Sequence, residues 1–181
     1  QTEAEALETL RIFLDGRFGA ASKTVLLEEP LAGMELSLHV LVDVGADHAR
    51  CVVLPPCQDH KRLGEGDQGP NTGGMGAFGP IPFLRPEDLD RLRQDLVEPT
   101  LRGCQADGLR ARGVFFLGVM WTPRGPKLLE YNVRFGDPET QVLMELLDED
   151  LPGLLKEVAE GRLERQDLTF KPGCALTVVL A

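Results

Sequence analysis

A chain of 181 residues with 43% hydrophobic and 27% charged side chains has enough apolar material for one large domain or two small lobes, which excludes wholesale disorder. Its formal net charge of −10 leaves no broad positive field for a nucleic-acid backbone or an anionic membrane, so neither is an expected partner. Any phosphate must instead be held by a local site of cations and backbone amides.

No window approaches the ~18 apolar residues of a membrane span, and Gln1-Thr2-Glu3-Ala4-Glu5 carries no signal-peptide pattern, so the expected compartment is the cytoplasm. Cys51, Cys57, Cys104 and Cys174 form no C-x-x-C pair and have no His at zinc spacing, and they read as reduced structural thiols. With no initiator Met and an apolar run over 176–181, both ends are expected to be cuts from something longer.

Ala6, Leu7, Leu10, Phe13 and Leu14 recur at steps of three and four, which predicts an amphipathic helix over 3–14 that closes at Gly16. A strand is expected over 24–27, interrupted by Glu28-Glu29-Pro30-Leu31-Ala32-Gly33. Leu36, Leu38, Val40 and Val42 then alternate with Ser37, His39, Leu41 and Asp43, and this period of two predicts a strand over 36–42. Val44-Gly45-Ala46-Asp47 turns it into 49–54, an antiparallel hairpin.

Residues 64–79 hold seven glycines in sixteen positions, too many for an ordered element, and predict a long loop. Pro86-Glu87-Asp88 opens a helix carrying Leu89, Leu92 and Leu96, and Pro99 should kink or restart it. Strands are expected over 113–121 and 127–131, helices over 138–147 and 151–160, and a last strand over 175–180. Helices and strand pairs in this order, with hairpins rather than regular βαβ units, predict an α+β fold.

On the strand over 127–131 and its continuation, residues two apart face the same way, so Glu130 and Asn132 present a carboxylate and an amide oxygen to one point while Tyr131 turns away. Two hard oxygen donors suit Mg²⁺, which completes its octahedron with water and substrate phosphates. The plain alternative is a solvent-facing Glu and Asn at a strand end. Arg134-Phe135-Gly136-Asp137-Pro138-Glu139-Thr140 adds a guanidinium placed to neutralise charge in phosphoryl transfer. Asp137 also fits as the cap of a helix starting at Pro138.

Upstream, the segment 28–35 offers an extended backbone for an adenine edge and Glu35 for ribose hydroxyls, or else is a charged strand connection. Gln58-Asp59-His60-Lys61-Arg62 brings two cations beside the glycines of 64–79, whose amides can close on an anion; the alternative is a flexible surface loop. The stretch matches neither the P-loop nor the strand-bound G-x-G-x-x-G fingerprint. His60 is an acid/base candidate or a plain hydrogen-bonding residue, and His39 and His48 read as structural.

Taken in order, Glu28-Glu29-Pro30-Leu31-Ala32-Gly33-Met34-Glu35, Gln58-Asp59-His60-Lys61-Arg62, Gly69-Pro70-Asn71-Thr72-Gly73-Gly74-Met75-Gly76-Ala77 and Glu130-Tyr131-Asn132-Val133-Arg134-Phe135-Gly136-Asp137-Pro138-Glu139-Thr140-Gln141 closely resemble the phosphoribosylamine–glycine ligase family, ATP-grasp ligases of purine biosynthesis. The first motif is shared across ATP-grasp proteins; the other three are specific to this family. The resemblance covers about 25–181 and implies two α+β lobes closing on ATP. It further implies that glycine's carboxylate attacks the γ-phosphate and that the amine of 5-phosphoribosylamine then displaces phosphate from the glycyl phosphate.

Carried over position by position, the resemblance sets Glu28, Glu29 and Leu31 along the adenine, with Glu29 and Leu31 acting through their backbone, and Glu35 on the ribose. Glu130 and Asn132 become ligands of Mg²⁺ or Mn²⁺, and Arg134 a clamp on phosphate or acyl phosphate. Arg62 with the glycine-rich stretch, together with Asp137 and Pro138, would approach glycine and 5-phosphoribosylamine. Two departures stand out. The strand before Glu130 reads Phe116-Leu117-Gly118-Val119-Met120 and lacks the third acid of many relatives, and much of the family's remaining lobes is absent.

The expected layout is therefore an incomplete ATP-grasp domain over 1–175, with 176–181 starting a carboxy-terminal lobe and the missing lobes as partners. Other readings are a different ATP-grasp carboxylate–amine ligase of purine synthesis, or a non-catalytic nucleotide-binding module derived from one.

Overall fold

In the computed structural model the chain divides into two units, Gln1–Leu31 and Ala32–Ala181, of which residues 2–180 are described. Gln1 and Ala181, the outer ends of the two expected domains, lie outside the described residues. The first unit holds α1 (Glu3–Leu14) and a short 3-10 turn (Gly19–Lys23). Thr2 and Glu5 close a reciprocal capping box at the start of α1, which satisfies two of its free amides. Phe13 meets Phe18 edge-on with ring centroids 5.2 Å apart. The strand expected over 24–27 does not form: the segment is irregular, and Leu26 and Leu27 are exposed. An apolar run becomes a strand only when another strand pairs with it, and none does there.

The second unit carries two antiparallel sheets and is α+β as expected. β1 (Met34–Val44), β2 (Ala49–Val53), β5 (Ala111–Thr122) and β6 (Gly125–Asn132) form a sheet in the order β2-β1-β5-β6. β3 (Gln58–Gly64), β4 (Gln68–Gly79) and β7 (Ala175–Val178) form the other, in the order β3-β4-β7. Between them in sequence run α2 (Pro86–Leu92), a π turn (Arg93–Val97), α3 (Glu98–Ala106), α4 (Glu139–Leu146) and α5 (Leu151–Glu160). Pro99 sits in the first turn of α3 directly after the π turn, so the helical backbone runs on from 86 to 106 with its irregularity just before the proline.

The period of two in β1 holds, but both of its faces are covered. Leu36, Leu38, Val40 and Val42 enter one core with Leu92, Leu96, Val97 and Leu101 of the α2–α3 layer. Leu41 enters a second core with Val142, Leu143 and Leu146 of α4 and Leu154 and Val158 of α5. Ser37, His39 and Asp43, which alternation alone would leave facing water, are therefore buried, and each has polar partners. Asp43 accepts from the Leu163 amide at 3.3 Å and lies 3.4 Å from Arg112 and 3.2 Å from His48.

The loop expected over 64–79 is instead the β3–β4 hairpin, turning at 65–67 with Asp67 and Gly66 at positive φ. Ladder bonds to β3 on one side and β7 on the other fix the glycine-rich strand, with Gly76 paired to both His60 and Val178. Gly74 explains one of the glycines. Its φ is +128° and a Cβ there would stand 2.5 Å from Pro138 Cδ, so only glycine lets β4 lie against the Asp137–Pro138 backbone.

Candidate functional site

The register of the four-stranded sheet assembles the site. Ser37 pairs with Gly118 and Gly118 with Glu130, while His39 pairs with Phe116 and Phe116 with Asn132. Residues directly opposite across a ladder share a face, so Ser37, Glu130, His39 and Asn132 occupy two adjacent rows of one face. Glu35, two residues before Ser37, begins a third row. With strands about 4.8 Å apart and a rise of about 3.4 Å per residue, the backbone positions of Glu35 and Glu130 are roughly 12 Å apart on that face.

Glu130 and Asn132 do face one point, since the Asn132 amide donates to Glu130 Oε1 at 3.0 Å. Tyr131 points the other way, its hydroxyl 2.7 Å from Thr100 of α3 and its ring edge-on to Phe115. Gly118, opposite Glu130, adds no side chain to this face. Among the described residues no cluster of three or more His, Cys, Asp or Glu is arranged to hold a metal ion. A carboxylate and an amide side by side at an exposed strand end nevertheless suit a hard cation that draws its other ligands from water and phosphate, so the residues fit Mg²⁺ or Mn²⁺.

The chain leaves β6 into 133–138. Arg134 is exposed and braces its own loop by donating to the Phe135 carbonyl at 3.0 Å. The Gly136 amide donates to His39 Nε2 at 2.9 Å, and the Gly136 carbonyl accepts from the Thr140 amide and hydroxyl. Exposed Asp137 accepts from Gln141 at 2.8 Å. Glu139, first residue of α4, is buried and accepts from the Ser37 hydroxyl at 2.7 Å, where the positive end of the helix favours a carboxylate.

The β3–β4 hairpin meets the start of β1 around a polar cleft of about 310 Å³ lined by Glu35, Asp59, Lys61, Arg62 and Asn71. Lys61 Nζ lies between Glu35 at 3.2 Å and Asp59 at 3.7 Å. Burial works against the Lys61 charge, but Asp59 and Glu35 outweigh it and hold the ammonium above its ordinary pKa. Burial pushes the Asp59 carboxyl up, against the pull of Lys61. Arg62 donates to the Gly69 carbonyl at 2.8 Å, bracing the hairpin at the cleft wall.

The structure thus brings together Glu35, Arg62, Glu130, Asn132, Arg134 and Asp137 in one unit. Glu28 and Glu29 are exposed and Leu31 half-buried in the irregular end of the first unit. Sequence reasoning passed over Lys61 as the partner of Glu35, and Ser37, His39 and Glu139 as the polar layer beneath the loop. Period two already placed Ser37 and His39 on Glu35's face, which was the available signal.

The family described as "Phosphoribosylglycinamide synthetase, ATP-grasp (A) domain" matches residues 1–140. Phosphoribosylamine–glycine ligase of Agrobacterium fabrum is 47% identical over 99% of the chain and 42% of its own length. The crystal structure of phosphoribosylamine–glycine ligase from Thermotoga maritima superposes with a TM-score of 0.81 at 37% identity, covering 99% of this chain and 44% of that one. N5-carboxyaminoimidazole ribonucleotide synthetase from Thermus thermophilus shares the fold, with a TM-score of 0.64 at 17% identity over 98% of this chain and 42% of that one. The chain therefore spans about two fifths of the length of these relatives.

Proposed function

Because the chain belongs to the phosphoribosylglycinamide synthetase ATP-grasp domain family, we propose that it is the nucleotide-binding part of a ligase that joins glycine to 5-phosphoribosylamine with ATP, giving glycinamide ribonucleotide, ADP and phosphate. The observation that supports this reading is the shared sheet face, which carries both Glu35 and the Glu130–Asn132 pair.

Glu28, Glu29 and Leu31 line the adenine, Glu35 accepts from the ribose hydroxyls, and Glu130 and Asn132 hold the Mg²⁺ or Mn²⁺. When bound, that ion neutralises charge on the phosphates. Arg134, braced by its own loop and with no acid paired to it among the described residues, keeps its guanidinium available for the transferred phosphoryl group. A glycine carboxylate oxygen bonds to the γ-phosphorus as the bond to ADP breaks. The amine nitrogen of 5-phosphoribosylamine then bonds to the acyl carbon, and phosphate leaves with the electrons of the C–O bond while the amine proton goes to solvent or a base.

Asp137 and Arg62 approach these two substrates, Asp137 beside the contact between Gly74 of β4 and Pro138. Residues 1–175 are assigned to the ATP-grasp part, with 176–181 leading by way of β7 into the next lobe. The remaining lobes complete the cleft and keep the acyl phosphate dry. The compartment proposed is the cytoplasm, and among the described residues no helix is long and apolar enough to cross a membrane.

The test is the full-length protein carrying this chain, assayed for ADP and phosphate release. Release that needs both glycine and 5-phosphoribosylamine supports the ligase. ATP binding with no release under any combination establishes a non-catalytic nucleotide-binding module instead.

A further inference from the structure

Beneath the proposed nucleotide face lie two fully buried polar side chains that each keep one atom without a hydrogen-bond partner, His39 at Nδ1 and Glu139 at Oε2. Both converge on one backbone unit. His39 Nε2 accepts from the Gly136 amide at 2.9 Å, and a Cβ placed on Gly136 would overlap Glu139 Oε2 and come within 3.0 Å of His39 Nε2. The other carboxylate oxygen of Glu139 is held by Ser37, two residues before His39 on the same face of β1. A fold that needed only apolar filling there would carry no groups with orphaned atoms.

We propose that His39 and Glu139 are positioning residues that grip the backbone at Gly136 from below and so set the places of Arg134 and Asp137, which flank it. The proposal rests on the reading of those two residues given above. His39 acts as a fixed acceptor and carries no proton in the reaction. Because Nε2 accepts from the Gly136 N–H, the ring proton stands on Nδ1. Burial, with the Arg134 guanidinium nearby, lowers the His39 pKa to about 4, so the acceptor persists throughout the neutral range. Stacking on Phe116 at 4.6 Å and on Phe135 at 6.2 Å sets the ring plane. Glu139 completes the grip by filling the space that a side chain at 136 would need, which keeps that position glycine and its amide exposed to His39.

Two variants of the full-length protein separate positioning from bulk packing. His39→Leu removes the acceptor, whereas the amide oxygen of His39→Gln stands near the place of Nε2. The expected result is a fall of about tenfold or more in kcat for His39→Leu with little change in the KM for ATP, and substantial recovery in His39→Gln. Wild-type kcat in His39→Leu, or equal losses in both variants, overturns the proposal. Should His39→Leu fail to fold, nitrogen-15 NMR of the wild type decides. A neutral His39 ring with its proton on Nδ1 at pH 7, and a Gly136 amide protected from hydrogen exchange, support the grip; a proton on Nε2 or a freely exchanging amide overturns it. If the wild type shows no ligase activity, the ligase reading fails and the two NMR measurements still decide the grip.

Discussion

Lys61 Nζ stands 3.2 Å from Glu35 Oε2, so a single ammonium ties the start of β1 to the β3–β4 hairpin. The pair is partly exposed on both sides, so its own contribution to stability is at most about 1 kcal/mol. Its consequence is geometric: Lys61 holds the Glu35 carboxylate at the cleft rim. On the proposed reading, Glu35→Ala in the full-length protein should raise the KM for ATP about tenfold with kcat nearly unchanged, since a ribose contact is made equally in ground and transition states. Lys61→Ala should move KM in the same direction by less. Steady-state kinetics with ATP varied checks both, and a defect confined to kcat places Glu35 elsewhere.

Glu130→Ala removes one of the two protein oxygens that the proposed site would offer to a cation. Turnover should fall by about two orders of magnitude or more, while the melting temperature stays within about 2 °C because the residue is exposed and leaves no cavity. Kinetics and thermal melts on the same preparation test the pair of expectations. Wild-type turnover would remove Glu130 from the site.

Gly74→Ala should destabilise the protein by about 1–3 kcal/mol, because it forces a side chain into positive φ and against Pro138. Gly73 is the internal control: a Cβ there meets nothing within 4 Å, so Gly73→Ala should change stability little. Urea unfolding of the two variants checks the contrast, and equal stabilities would mean that β4 does not depend on its approach to Pro138.

His48 sits in the turn beyond β1, 3.1 Å from Asp47 and 3.2 Å from Asp43. Hydrogen bonds that the ring donates to Asp47 first and then to Asp43 raise its pKa above the ordinary 6.5, so protonated His48 is favoured in the folded state. That stabilisation is fully present below pH 6.5 and is lost as pH rises through the higher folded-state value. The difference in unfolding free energy between wild type and His48→Gln should therefore be larger at pH 6 than at pH 9. A pH-independent difference would rule out the coupling to Asp43 and Asp47.

Much of this architecture could be read residue by residue. The three-and-four spacing gave α1, and Leu151–Glu160 formed over the expected residues, closed by Gly161 at positive φ. Period two correctly put Glu130 and Asn132 on one face, although β6 bulges just before Glu130. What stayed hidden was set by partners distant in sequence. Alternation in β1 implies one wet face, and nothing local reveals that α4 and the second sheet cover it, which turns Ser37 and His39 from surface residues into buried ones. The glycines of 64–79 argue against a strand by intrinsic preference, yet ladders to β3 and β7 and the contact with Pro138 outweigh that preference.

The pairing of β1 with β5 has a kinetic meaning as well. It joins Met34 to Trp121 and runs to Val44 against Ala111, so the face bearing Glu35 depends on a strand that arrives after the whole β3–β4 hairpin and α2–α3 have been made. The β1–β2 hairpin can close early from near neighbours, but the side chains of Ser37 and His39 acquire their hydrogen-bond partners only once the chain through Glu139 has left the ribosome. Pairings of such long range make folding slow and leave apolar strands exposed while they wait. The face bearing Glu35 can therefore form only after β5 has arrived, and a chain interrupted between β2 and β5 should be recognised by chaperones.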